Sequence, residues 1–141
     1  MYSIILHATD LSDTHFNMCQ RALEVAKRFH AKLYLLHVIE PPASLQLAQG
    51  LGFAEFDTPL KEDATTVMRA LGEALNVPVS QQFVEIGSIK SHALNKIKDL
   101  HCDLLILGNH AHRHLPALLD TSAQGILAEV NCDVLTLYAA P

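Results

Sequence analysis

Apolar runs of strand length alternate along this chain with longer segments whose apolar residues recur at helical spacing. The first run centres on Ile4-Ile5-Leu6 and predicts a strand over 2–9 that is nearly continuous in apolar residues, as a central strand buried on both faces would be. After Thr9-Asp10-Leu11-Ser12, Phe16, Cys19, Leu23, Ala26 and Phe29 fall on one helical face, with Ser12 placed to cap the helix and Asp13 in its first turn. Lys32–Ile39 predicts a second strand, stopped by Glu40-Pro41-Pro42 because proline cannot donate to a ladder. A helix from Thr58-Pro59 presents Leu60, Ala64, Val67, Met68, Leu71 and Leu75, and Asn76-Val77-Pro78 closes it. Gln82–Ile86 is a third strand, and Gly87-Ser88 turns and caps a helix with Ile89, Ala93, Ile97 and Leu100 inward. A strand over 103–107, a polar loop over 108–122, a helix over 123–130 and a strand over 134–138 complete the pattern.

Strict alternation of strand and helix implies a parallel sheet covered by helices on both faces. With right-handed crossovers, and with strands one to three winding outward one way and strands four and five the other, the expectation is an open, doubly wound five-stranded α/β sheet of order 3-2-1-4-5, a Rossmann-like fold spanning one domain, 1–141. The switch point falls between the first and fourth strands, which brings Asp10 to the loop opening at Gly108. Ligands of open α/β sheets bind at such a crevice.

Composition narrows the partners. Ten Lys+Arg against fifteen Asp+Glu leave a net charge of −5 with no basic stripe, which argues against nucleic acid. No apolar run approaches the ~18 residues of a membrane helix, and the opening residues lack a signal peptide's basic region, so no membrane association is expected. Cys19, Cys102 and Cys132 sit among apolar residues without metal-ligand spacing and read as reduced, packed thiols of a cytoplasmic protein.

Several stretches together carry a family resemblance: Ala8-Thr9-Asp10-Leu11-Ser12 after the first strand, His37-Val38 ending the second, the Gly87-Ser88 turn, and Asp103-Leu-Leu-Ile-Leu-Gly108 followed by loop, helix and terminal strand. In this order and spacing the chain resembles the universal stress protein family over nearly its whole length. The resemblance implies a small, cytoplasmic, non-enzymatic stress-response protein, usually dimeric. It also implies a division between members that bind ATP, through Gly-x2-Gly-x9-Gly-Ser/Thr in the loop after the fourth strand, and members that do not. Here the loop reads Gly108-x2-Ala111-x9-Thr121-Ser122. Thr121 is poorly suited to positive φ, and neither it nor Ala111 allows the close phosphate approach of glycine. Asp120, read as the cap of the last helix, places a carboxylate where phosphate would sit. The chain is therefore expected to belong to the branch that does not bind ATP tightly. Were a nucleotide to bind, Asp10, Val38, Gly108, Ala111, Thr121 and Ser122 would hold it, Asp10 and Val38 matching family positions near ribose and adenine.

Other chemistry reads as structural. Asp10 is open to two readings, ribose ligand or cap of the first helix. His110, His112 and His114 alternate along the loop and offer a metal-buffering alternative, but no Cys or carboxylate stands at firm ligand spacing and no metal is expected there. His7 and His37 read as satisfied strand histidines. Thr121 and Ser122 lack a nucleophile elbow, and neither a Gly-x4-Gly-Lys-Ser/Thr loop nor His-x-Gly-His occurs, so no catalytic residue is assigned. The last strand, Val134–Tyr138, is an uncharged sheet edge and the expected homodimer interface.

Overall fold

A computed structural model of the chain describes residues 1–11, 15–41, 47, 50–51, 57–109 and 125–138. Its strands are β1 (Ile4–Ala8), β2 (Lys32–Ile39), β3 (Gln82–Ile86), β4 (Leu104–Asn109) and β5 (Asp133–Tyr138). Its helices are α1 (His15–Arg28), α2 (Asp57–Leu75) and α3 (Ile89–Leu100), with a short 3-10 turn at Val79–Gln81 and helical residues at 125–129. The strands form one parallel sheet of order β3-β2-β1-β4-β5, the order expected from the sequence.

β1 lies between β2 and β4, with Ala8 level with Leu36 on one side and Leu107 on the other. Alternating side chains send Ile5 and Leu6 into two different cores, which is why the strand carries no polar face. On one side Ile5, Leu35 and Ile106 pack with Cys19, Ala22 and Ala26 of α1 and Met68 and Leu75 of α2. On the other, Leu6, Leu36 and Leu105 pack with Ala93 and Ile97 of α3 and with Ile126.

Element bounds differ from the sequence reading by a residue or two, and two helical faces differ in substance. α1 buries His15, Met18, Cys19, Ala22 and Ala26, whereas Phe16 is 43% exposed and Phe29 lies at the surface, edge-on to Tyr2 with ring centroids 5.0 Å apart. Cys19 and Ala26 are buried and Leu23 half-buried, as the apolar spacing predicts, whereas at the start of the helix the inward position is a histidine rather than Phe16. α2 buries Met68 and Leu75 and half-buries Ala64 and Leu71, but Val67 is 49% exposed and Leu60 is also exposed. The narrower face is the one that a single sheet surface can cover.

Local signals at α3 hold as read. Ser88 accepts a hydrogen bond from the backbone N–H of Ser91 at 3.2 Å, capping the helix. Gly87 adopts φ of 142°, where an added Cβ would lie 3.0 Å from His92 Nε2. The expected cap Ser12, with Asp13, lies outside the described residues.

Candidate functional site at the carboxyl end of β1

Thr9 follows the last residue of β1 and uses its polar groups to fix the chain there. Its amide donates to the Leu36 carbonyl at 2.8 Å, and its carbonyl accepts from His37 Nδ1 at 2.7 Å. Its hydroxyl oxygen accepts the Leu11 amide at 3.1 Å and also contacts His15 Nδ1. Leu11 stands at φ of 58°, a left-handed conformation that turns the chain out of the sheet, and the Thr9 hydroxyl holds that turn.

Asp10 projects at this turn, its side chain 50% exposed, and its Oδ1 lies 2.8 Å from Nε2 of buried His15. The same ring nitrogen is 3.2 Å from the Asp10 amide. One nitrogen cannot both donate to the carboxylate and accept from the amide; the shorter, charge-assisted contact decides that Nε2 carries the proton. In the neutral ring Nδ1 is then the acceptor, and the Thr9 hydroxyl donates to it.

His7 is completely buried and stacks on His15, with ring centroids 5.9 Å apart. Its Nδ1 donates to the Ile106 carbonyl of β4 at 3.0 Å, while Nε2 has no hydrogen-bond partner among the described residues. Burial pushes its pKa down to about 4, only partly offset by the Ile106 carbonyl; the nearby His15 lowers it further and Asp10 raises it. The histidine read as satisfied is therefore satisfied on one side only. His37, by contrast, meets that expectation through Thr9.

Cys19 lies on the same face of α1 one turn beyond His15, and burial pushes its thiol up to about 11. The adjacent Thr9 hydroxyl works in the opposite direction. Cys102, raised to about 12 by burial, and half-buried Cys132 complete a set of free thiols.

Of the residues named for a nucleotide, Asp10 and Gly108 do come to one end of adjoining strands. Asp10 contacts His15, however, and Val38 is 7% exposed within the second core. Ala111, Asp120, Thr121, Ser122 and the three loop histidines lie outside the described residues. His15 was missed altogether. Its only sequence signal is a position four residues before Cys19 at a helix start, and a search for apolar periodicity passes over it.

Similarity to known proteins agrees with this architecture. The profile of the universal stress protein family matches residues 1–137. Universal stress protein A homolog 1 of Coxiella burnetii is 31% identical over 142 residues, covering 97% of this chain and 96% of that protein. Universal stress protein C of Salmonella typhimurium is 27% identical, covering 99% and 97%. Among solved structures, the universal stress protein UspA from Lactobacillus plantarum superposes with a TM-score of 0.72 at 20% identity, covering 96% and 97% of the two chains. A universal stress protein in complex with cAMP gives 0.71 at 17% identity, covering 99% and 98%. The sheet order, the turn at the end of β1 and the match over 1–137 lead to one conclusion: the chain belongs to the universal stress protein family.

Proposed function

We propose that this chain is a non-enzymatic, cytoplasmic stress-response protein of the universal stress protein A kind, one domain over 1–141, that does not hold ATP tightly. The observation that carries the reading is the Asp10–His15 contact: the carboxylate that a ribose would meet accepts instead from a buried imidazole. Ala111 and Thr121 in place of glycines, and Asp120 beside them, support it from the loop. Calorimetric titration with Mg-ATP is expected to give a dissociation constant no tighter than ~100 μM, about −5.5 kcal/mol. Low-micromolar binding contradicts the reading. Ala111→Gly with Asp120→Asn and Thr121→Gly should improve affinity if the missing glycines and the added charge are what oppose it.

The cAMP complex of a structural relative favours a second reading, a nucleotide-binding sensor on the same sheet. Nucleotide retained through purification, seen as excess absorbance at 260 nm and identified by mass spectrometry, would select it.

The same proposal includes a homodimer through β5. That strand pairs with β4 on one side, and its residues 134–138 bear no charged side chain, although Arg21 of α1 donates to the Tyr138 carbonyl at 2.9 Å. An uncharged edge is self-complementary across a two-fold axis. Backbone amides alternate in direction along a strand, so of Leu135→Pro and Thr136→Pro only one removes a donor from the interface. Sedimentation should find that variant monomeric and folded; two folded dimers would place the interface elsewhere.

A further inference from the structure

The buried cluster at the end of β1 has the donor set of a metal centre. One ring nitrogen from each of His7 and His15 and the Sγ of Cys19 lie within 4.8 Å of one another, and all three residues are buried. Among the described residues no other group of this kind occurs. The hydrogen bonds fix which nitrogens offer lone pairs. His7 gives its Nδ1–H to the Ile106 carbonyl, leaving Nε2 unpartnered, and His15 gives its Nε2–H to Asp10, leaving Nδ1. A carbonyl behind one imidazole and a carboxylate behind the other are the partners that orient metal-bound histidines and raise their basicity.

We propose that His7 Nε2, His15 Nδ1 and Cys19 Sγ form a buried transition-metal site for a d10 ion that favours nitrogen and sulfur, Zn2+ or Cu+. It goes beyond the stress-protein reading and does not depend on whether a nucleotide binds. Placement follows from the fold: His15 and Cys19 are one turn apart on the inward face of α1, and His7 faces them from the next strand position after Ile5 on that side of β1. Metal–nitrogen bonds of ~2.0–2.1 Å and a metal–sulfur bond of ~2.3 Å require ligand atoms about 3.3–4 Å apart. Ligand atoms of the three residues lie within 4.8 Å of one another, so the cluster closes by at most about 1.5 Å. The Thr9 hydroxyl, which contacts His15 Nδ1, yields that nitrogen to the ion and is placed to supply a weak oxygen ligand. Thiol and thiolate balance simply: binding releases the Cys19 proton to solvent. An unpaired acceptor at His7 Nε2 otherwise carries the desolvation cost of a buried polar atom, which a ligand there would remove.

The test uses metal-free protein, prepared with a chelator under reducing conditions, and titrates it with Co2+ as the probe for Zn2+. The expected result is a thiolate-to-cobalt charge-transfer band saturating at one ion per chain and displaced by Zn2+. Cu+ is tested separately by competition with a chromogenic Cu+ chelator, and retention of either ion at this stoichiometry upholds the site. Cys19→Ser, folded by circular dichroism, should lose the band, whereas Cys102→Ser and His112→Ala should keep it. Asp10→Asn should keep the band but weaken affinity ~10–100-fold, as loss of an outer partner does. Folded wild-type protein that takes neither ion, or a band that survives in Cys19→Ser, overturns the proposal.

Discussion

At the amino end of β1, Asp103 accepts hydrogen bonds from the backbone amides of Ser3 and Ile4 at 2.8 and 3.1 Å; at the carboxyl end, Asp10 instead holds buried His15 at 2.8 Å. The first carboxylate joins β4 to β1 through groups that every residue possesses, and Tyr2 adds a hydroxyl bond to Asp133 of β5 at 2.8 Å. Its neighbourhood is partly exposed. The second stands over a cluster of side chains, His7, Thr9, His15 and Cys19, that are buried, polar or ionisable, and in one case unpaired. One end of the strand is built to hold the sheet together. The other keeps costly groups out of water at the place where this class of fold receives ligands.

Acid should separate the two ends most strongly. His7 has a folded-state pKa near 4 against an ordinary value of 6.5, so between those values the unfolded chain binds the extra proton and the folded one does not. Stability of the metal-free protein should therefore fall as pH drops through that window, with His7 contributing about 3 kcal/mol of the loss by pH 4. His15 and Asp10 face the same ring with opposite effects on its pKa, so neither removes the trend. Urea unfolding at several pH values checks this. His7→Asn, which keeps a donor for the Ile106 carbonyl but cannot titrate, should flatten the slope; an unchanged slope would assign the acid sensitivity elsewhere.

A smaller effect is expected at the amino end. Asp103→Ala removes the two carboxylate oxygens that accept from two backbone amides that water partly reaches, and should cost about 2 kcal/mol in urea unfolding at pH 7. It should leave any Co2+ band at the other end intact. A loss of that band in folded Asp103→Ala would mean the two ends are coupled through β1, and the contrast between them would fail.

The fold was legible because its strands announce themselves. β1, β2 and β4 are apolar on both faces, so strand–helix alternation implies a parallel doubly wound sheet, and its order follows once the winding reverses after the third strand. The Ser88 cap and the Gly87 turn are local and were equally plain. The inward face of α1 was not, because a helix packed on a site carries polar residues inward; apolar periodicity selects Phe16 and passes over His15. Asp10 could be named from its strand-end position, but its partner could not, since that pairing depends on how the left-handed turn at Leu11 aims the start of α1. Cys19 read as a packed thiol, which is true of its burial and silent about its neighbours. His7 meets residues of α1 only after the chain has turned back, and no spacing rule joins a strand position to a helix face.

The state of the two imidazoles is the most direct test. Nitrogen-15 chemical shifts of the metal-free protein, followed by NMR from neutral to acid pH, report which ring nitrogen of His7 and of His15 carries the proton. The structure predicts His7 protonated at Nδ1, with Nε2 bare and unprotonated down to about pH 4, and His15 protonated at Nε2. A His7 that carries its proton on Nε2, or that titrates near 6.5, would contradict a buried, unpaired acceptor at the end of β1.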